Sequence, residues 1–186
     1  LSKRRIYWMG LMTLLLFPIP AFLVLHYISG QSFREFMDWD SFHFSNIAIG
    51  ICIGVGYAFL ANQLMKLPVF KSVPLRVDEL VKSLDLALLD AVFLSLCAGI
   101  GEELLFRAGV QFYIGVSITA VLFVVMHGYL NPFNWKQSLY GVVVLPLSFL
   151  LGLGYEWYGL WFSIAVHTAY DFTLFVAFGS DDDTHA

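Results

Sequence analysis

Gly101-Glu102-Glu103-Leu104-Leu105-Phe106-Arg107 sets two adjacent carboxylates and a guanidinium inside otherwise apolar sequence. Residues 84–96 before it and 108–125 after it are rich in Leu, Val, Ile and Phe. A charge in such surroundings costs roughly 2.5–3.5 kcal/mol on insertion scales, so a membrane helix seldom carries three without a use. On a helix, Glu103 and Arg107 are i,i+4 neighbours and can pair. Glu102 points about 100° away and needs a different partner.

The chain around this stretch is 59% apolar, 17% aromatic and 13% charged. A soluble domain carries about 25% charged residues, so the composition indicates a membrane protein. At ~20 residues per crossing, 186 residues make an all-α, polytopic bundle of about six spanning helices with short loops. Cys52 and Cys97 both lie in apolar segments and read as small buried hydrophobes, with neither a disulfide framework nor a CxxC metal pair. There is no Gly-rich phosphate loop and no basic nucleic-acid patch, which excludes nucleic acid as a partner and leaves the lipid bilayer.

The helices predicted in order cover residues 6–28, 44–67, 84–113, 116–130, 137–153 and 158–178. The first follows Ser2-Lys3-Arg4-Arg5, outlasts a signal-peptide core of 7–15 residues, and is expected as a retained helix kinked at Pro18 and Pro20. Gly50-x-x-x-Gly54 offers a small-residue face for close helix contact. Residues 66–82 form a basic loop, and 77–89 an amphipathic interfacial segment leading into the third helix. Gly115 marks a tight turn, and Asn131-Pro132 is expected to stop the fourth helix. The organisation expected is residues 1–83 as a two-helix membrane segment with a cytoplasmic basic loop, 84–178 as the helical core, and 179–186 as a disordered acidic tail. With an even number of spans, Lys3, Arg4, Arg5, Lys66, Lys71, Arg76, Lys82 and Lys136 share one side, which predicts both termini in the cytoplasm.

Depth brings the embedded polar residues together. Glu102 precedes the turn at 114–115 by about twelve residues and His127 follows it by about thirteen, so both lie roughly 18–20 Å from it. His167 sits ~14 Å from the same side and Asp171 one turn deeper. Phe123 and His127 are i,i+4, as are His167 and Asp171, so the aromatic can cover one imidazole and the carboxylate can orient the other. A carboxylate and an imidazole holding a water, opposite a second polar pair that receives a developing oxyanion, is the chemistry this suggests.

Glu102-Glu103-x-x-x-Arg107, Phe123-x-x-x-His127 and His167-x-x-x-Asp171, in that order on successive hydrophobic segments, resemble the motifs of the CAAX-prenyl-protease and bacteriocin-processing (CPBP, or Abi) family of intramembrane endopeptidases. The resemblance covers about residues 84–178. It implies a glutamate-dependent intramembrane protease that hydrolyses a peptide bond of a membrane-associated protein or peptide, in a multi-pass protein of the bacterial plasma membrane. Glu102 would be the general base, with His127 holding the water. Glu103 and Arg107 would form a supporting ion pair beside Phe123, and His167 and Asp171 would line the oxyanion side. No cofactor and no metal are implied. An ionised Asp171 cannot donate a hydrogen bond, so either it is protonated or it orients His167, which then donates alone.

Plainer readings compete. Glu102, Glu103 and Arg107 could merely lock the bundle, although structural charges have no reason to share a depth with two histidines. Glu102, His127, His167 and Asp171 are all metal-ligand types, which makes a metal-dependent membrane hydrolase the chemical alternative. A non-enzymatic immunity, scaffold or carrier protein is the alternative of another class. Ser163-x-x-x-His167-x-x-x-Asp171 spells a serine triad only superficially, because three residues stacked on one helix leave no separate oxyanion site. Asp85 and Asp90 read as helix-terminus or interface charges, His26 and His43 as interfacial, and Trp8, Trp135, Trp157 and Trp161 as span-end anchors.

Overall fold

The computed structural model describes residues 2–70 and 86–179. Lipid offers the backbone no hydrogen-bond partner, so a chain this apolar must close its own bonds as helix. Among the described residues there is no strand. The helices are α1 (Lys3–Leu16), α2 (Pro18–Ser29), α3 (Phe33–Phe36), α4 (Phe44–Met65), α5 (Leu88–Glu103), α6 (Gln111–Met126), α7 (Trp135–Tyr158) and α8 (Leu160–Gly179), with a π-helical stretch, Leu104–Val110, between α5 and α6. Five stretches are long and apolar enough to cross a membrane: Lys3–Ser29, Phe44–Met65, Leu88–Met126, Ser138–Tyr158 and Leu160–Ala177. The chain is therefore a multi-pass, all-α membrane protein.

Five stretches replace the expected six because Leu88–Met126 runs for 39 residues through a break at Gly115. There φ is 74° and ψ 173°, a conformation open essentially to glycine alone. The chain folds back at this point, so the expected hairpin is present inside one run. Its second arm is shorter than expected. Gly128, at φ 74°, ends α6 at Met126 before Asn131-Pro132 is reached. α1 and α2 together form the expected kinked first span, interrupted at Phe17–Pro18 where the proline has no N–H to give. The basic loop beyond Phe70, residues 77–85 of the amphipathic segment expected at 77–89, Asp85 and the acidic tail lie outside the described residues.

α1–α2 and α5 lie side by side and run the same way. Lys3 pairs with Asp90 at 3.1 Å, and Tyr7 also donates to Asp90. Further along, Gly101 sits against the Thr13 backbone and Gly109 against Ala21. α4 and α8 are also parallel and in close contact. A Cβ built on Gly50 would lie 2.7 Å from the Phe162 carbonyl oxygen, and one on Gly54 2.3 Å from that of Val166. The Gly50-x-x-x-Gly54 face thus meets α8, and Ala58 and Ala61 continue it into a core with Val143, Leu147, Leu151, Phe162 and Val166. Gly54→Val is expected to force these helices apart and destabilise the fold by about 1–3 kcal/mol. Gly56, with nothing within 4 Å of its added Cβ, supplies the control. Thermal unfolding in detergent that is equal for Gly54→Val and Gly56→Val would contradict this packing.

At the other end, Asn46 donates to the Tyr158 carbonyl at 3.0 Å, and Asp38 accepts the first α8 N–H, that of Leu160, at 2.8 Å. Trp161 is less a span-end anchor than a packing residue, its ring 4.9 Å from both Trp39 and Phe42. Cys97 is buried as expected, whereas Cys52 is exposed on the outer face of α4.

Candidate active site

The site forms where α5 widens. Gln111 N–H bonds the Phe106 carbonyl five residues back, the signature of a π turn, and such turns recur at functional sites. The wide turn holds Arg107 fully buried below Glu103, which is itself inaccessible. Arg107 Nε donates to Glu103 Oε2 at 2.9 Å and its Nη2 to Ser148 Oγ on α7 at 3.2 Å. The guanidinium lies 5.5 Å from the centre of the Phe123 ring. The i,i+4 ion pair read from the sequence is therefore formed. Glu103 does more than pair, however. Its second oxygen, Oε1, takes the Nδ1 proton of His167 at 2.8 Å, so one buried carboxylate ties α5, the π turn and α8 together.

Glu102 turns the other way, with 13% of its side chain accessible. Its Oε2 is 3.3 Å from His127 Nε2 and 3.9 Å from His167 Nε2. Asp171 Oδ2 stands 3.5 Å from His167 Nε2. The sequence reading expected two separate pairs facing each other across a gap. Instead the four groups form one cluster in which the His167 ring is shared by Glu102, Glu103 and Asp171. The count along the helices fixes depth, but not which way each side chain faces around its helix axis.

Hydrogen-bond chemistry constrains the two rings. His127 Nδ1 lies 2.8 Å from the Phe123 carbonyl, which can only accept, so Nδ1 carries a proton. His167 Nδ1 carries one toward Glu103 for the same reason. Both Nε2 atoms then face carboxylate oxygens, at 3.3 Å for His127 and at 3.5 and 3.9 Å for His167. The cluster lies over the fully buried Glu103–Arg107 pair, and its outer members, His127 and Asp171, are 28% and 22% accessible at the side chain.

Phe123, buried, stacks on His127 at 4.2 Å and meets His167 edge-on at 5.9 Å, so it packs against both imidazoles. Tyr129 also lies near-parallel to the His127 ring, centroids 5.6 Å apart, a residue that the sequence reading missed. Its signal was the glycine before it, which turns the chain back after the helix.

The remaining candidates stand apart. Ser163 donates to the Leu151 carbonyl at 2.9 Å and takes no part in the cluster. Asp90 accepts the Ala87 N–H at 2.9 Å at the start of α5. His26 contacts the Gln31 carbonyl, and His43 precedes α4. Among the described residues no three His, Cys, Asp or Glu side chains are arranged to hold a metal ion.

The family model described as type II CAAX prenyl endopeptidase, Rce1-like, matches residues 84–173. The chain is also 41% identical over 69 residues to the uncharacterized protein YpbD of Bacillus subtilis (strain 168), an alignment spanning 37% of this chain and 34% of that protein. No solved structure matches. The matched residues carry all three motifs of the cluster, from Glu102 to Asp171, so it is the stretch 84–173 that is similar to the Rce1-like family of type II CAAX prenyl endopeptidases.

Proposed function

We propose that the chain is an intramembrane endopeptidase that cleaves a peptide bond of a membrane-associated protein or peptide with a carboxylate-activated water. The observation that carries this reading is the contact of one accessible carboxylate, Glu102, with two imidazoles whose far nitrogens are fixed by other acceptors. A water held between Glu102 and His127 loses a proton to Glu102 as its oxygen bonds the scissile carbonyl carbon. His167, protonated at Nε2 and anchored at Nδ1 by Glu103, donates to the oxyanion. Collapse breaks the C–N bond, and the proton on Glu102 passes to the departing amine. Glu103 and Arg107 support this geometry from below.

Because Glu103 already orients His167, Asp171 is not needed for that task, and its place at the rim suits a second donor to the oxyanion in its protonated form. Asp171→Asn is then expected to retain roughly three- to tenfold more activity than Asp171→Ala, the worth of one hydrogen bond. Equal losses in the two variants would remove Asp171 from the oxyanion side.

The basic residues Lys3, Lys66 and Lys136 stand at one end of the bundle, the same end as the start of α5, which supports cytoplasmic termini in a bacterial plasma membrane. The direct test uses the purified protein in liposomes with a farnesylated CAAX-type peptide and with an unlipidated membrane-spanning peptide. Products are read by mass spectrometry, with and without a chelator. Cleavage unaffected by chelation is expected. Loss of cleavage on chelation, restored by a divalent ion, would replace the carboxylate mechanism by the metal-dependent one.

A further inference from the structure

Beyond the three motifs, the geometry points to a fourth element. We propose that Tyr129 is a positioning residue for His127, its ring closing the second side of an aromatic sandwich that sets the imidazole plane beside Glu102. This rests on the reading of His127 as a holder of the attacking water.

The local chain makes the sandwich. After α6, the Gly128 N–H bonds the Val125 carbonyl at 2.9 Å and the Tyr129 N–H bonds the Val124 carbonyl at 3.1 Å, with Gly128 at φ 74°. These are the two hydrogen bonds of a Schellman motif, in which the residue after the left-handed glycine is returned over the last helical turn. Tyr129 is that residue, and its ring therefore comes back onto His127 at 5.6 Å and 22° from parallel. Phe123 is the second ring stacked on His127, at 4.2 Å and 29°.

Both outer rings are held in turn. Phe106 meets Phe123 edge-on at 5.0 Å, and Tyr140 meets Tyr129 edge-on at 4.8 Å. One hydrogen bond at Nδ1 leaves an imidazole free to swing about that contact, because rotation about the ring bond is soft. Two fixed slabs remove the swing and leave Nε2 aimed at Glu102. Burial, with Tyr140, Asp171 and Glu102 acting the same way, keeps the Tyr129 phenol well above its ordinary value, so the slab is a neutral ring.

Full-length Tyr129→Phe and Tyr129→Leu, reconstituted as for the wild type, separate the ring from its hydroxyl. With histidine-labelled protein, and with His127→Gln to assign the signal, the His127 ring resonance should stay at its stacked position in the Phe variant. In the Leu variant it should move toward the unstacked position. On a peptide that the wild type cleaves, kcat for Tyr129→Leu should fall roughly tenfold to hundredfold with KM little changed, as for a misaimed catalytic group, and Tyr129→Phe should restore most of it. Should the Leu variant fail to insert, Tyr129→Met, which keeps bulk without a ring, carries the same expectation. A Leu variant with an unmoved His127 resonance and wild-type kcat overturns the proposal, and so does a Phe variant as impaired as Leu. A wild type that cleaves no peptide while the resonance behaves as described overturns the peptidase reading and leaves the sandwich standing.

Discussion

Glu102→Gln is expected to give a folded, membrane-inserted protein whose peptide cleavage is slower by about a thousandfold, within the 10²–10⁴ range for removing a general base. Folding survives because Glu102 lies outside the buried ion pair. Its side chain is 13% accessible, and an amide of the same shape can still donate to a histidine nitrogen, so no buried charge is orphaned. Catalysis does not survive, because an amide cannot take a proton from water. Cleavage rates in liposomes, measured beside thermal unfolding of the same preparation, check both halves. Normal turnover by a well-folded Glu102→Gln protein would falsify the assignment of the base.

The neighbouring glutamate should behave in the opposite sense. Glu103→Gln leaves Arg107, wholly buried, without a counter-charge, and its single amide oxygen cannot accept from both Arg107 Nε and His167 Nδ1 as the two carboxylate oxygens do. Removing one partner of a buried pair costs about 3–5 kcal/mol, since the other charge stays desolvated. The expected result is a large fall in unfolding temperature in detergent, with activity lost alongside it. Replacing both partners together, as Glu103→Leu with Arg107→Met, should recover part of the stability, because well-packed apolar residues can replace a buried pair at little cost. It should recover none of the activity, since His167 remains without its anchor. A Glu103→Gln protein as stable as the wild type would mean that the ion pair is not what holds the turn together.

How far the sequence could be read follows from which coordinates it encodes. Axial position is nearly fixed by counting, because each helical residue rises by the same amount. Glu102, His127, His167 and Asp171 could be placed at one depth for that reason, and Gly115 located the fold-back between the first two. Azimuth is not fixed by counting. The sharing of His167 between Glu102 and Glu103 depends on how α8 is rotated against α5, and that rotation is set by the close approaches at Gly99, where a Cβ would meet Thr168, and at Gly54. The π turn was invisible for a related reason, as nothing in Leu104-Leu105-Phe106-Arg107-Ala108-Gly109-Val110 forbids a regular helix. The partnership of α1–α2 with α5 was equally hidden, because it rests on small residues, Gly101 and Gly109, that carry no hydropathy pattern of their own. Tyr129 had a legible signal in His127-Gly128-Tyr129, obscured by the expectation that Asn131-Pro132 ended the helix.

The π turn also behaves as a phase correction between two halves of one long helix. Before it, Gly101 must face Thr13; after it, Gly109 must face Ala21, on a neighbouring span that is itself interrupted at Phe17–Pro18. In a regular helix, positions eight residues apart differ by about 80° in direction, so an uninterrupted α5 would turn one of these contacts away from its partner. Widening one turn lets a single chain keep both faces on the same neighbour while Glu103 stays over Arg107. Straightening the turn into regular helix with every residue kept would therefore act as a rotational frameshift, turning every later side chain by about 100° without removing a single functional group.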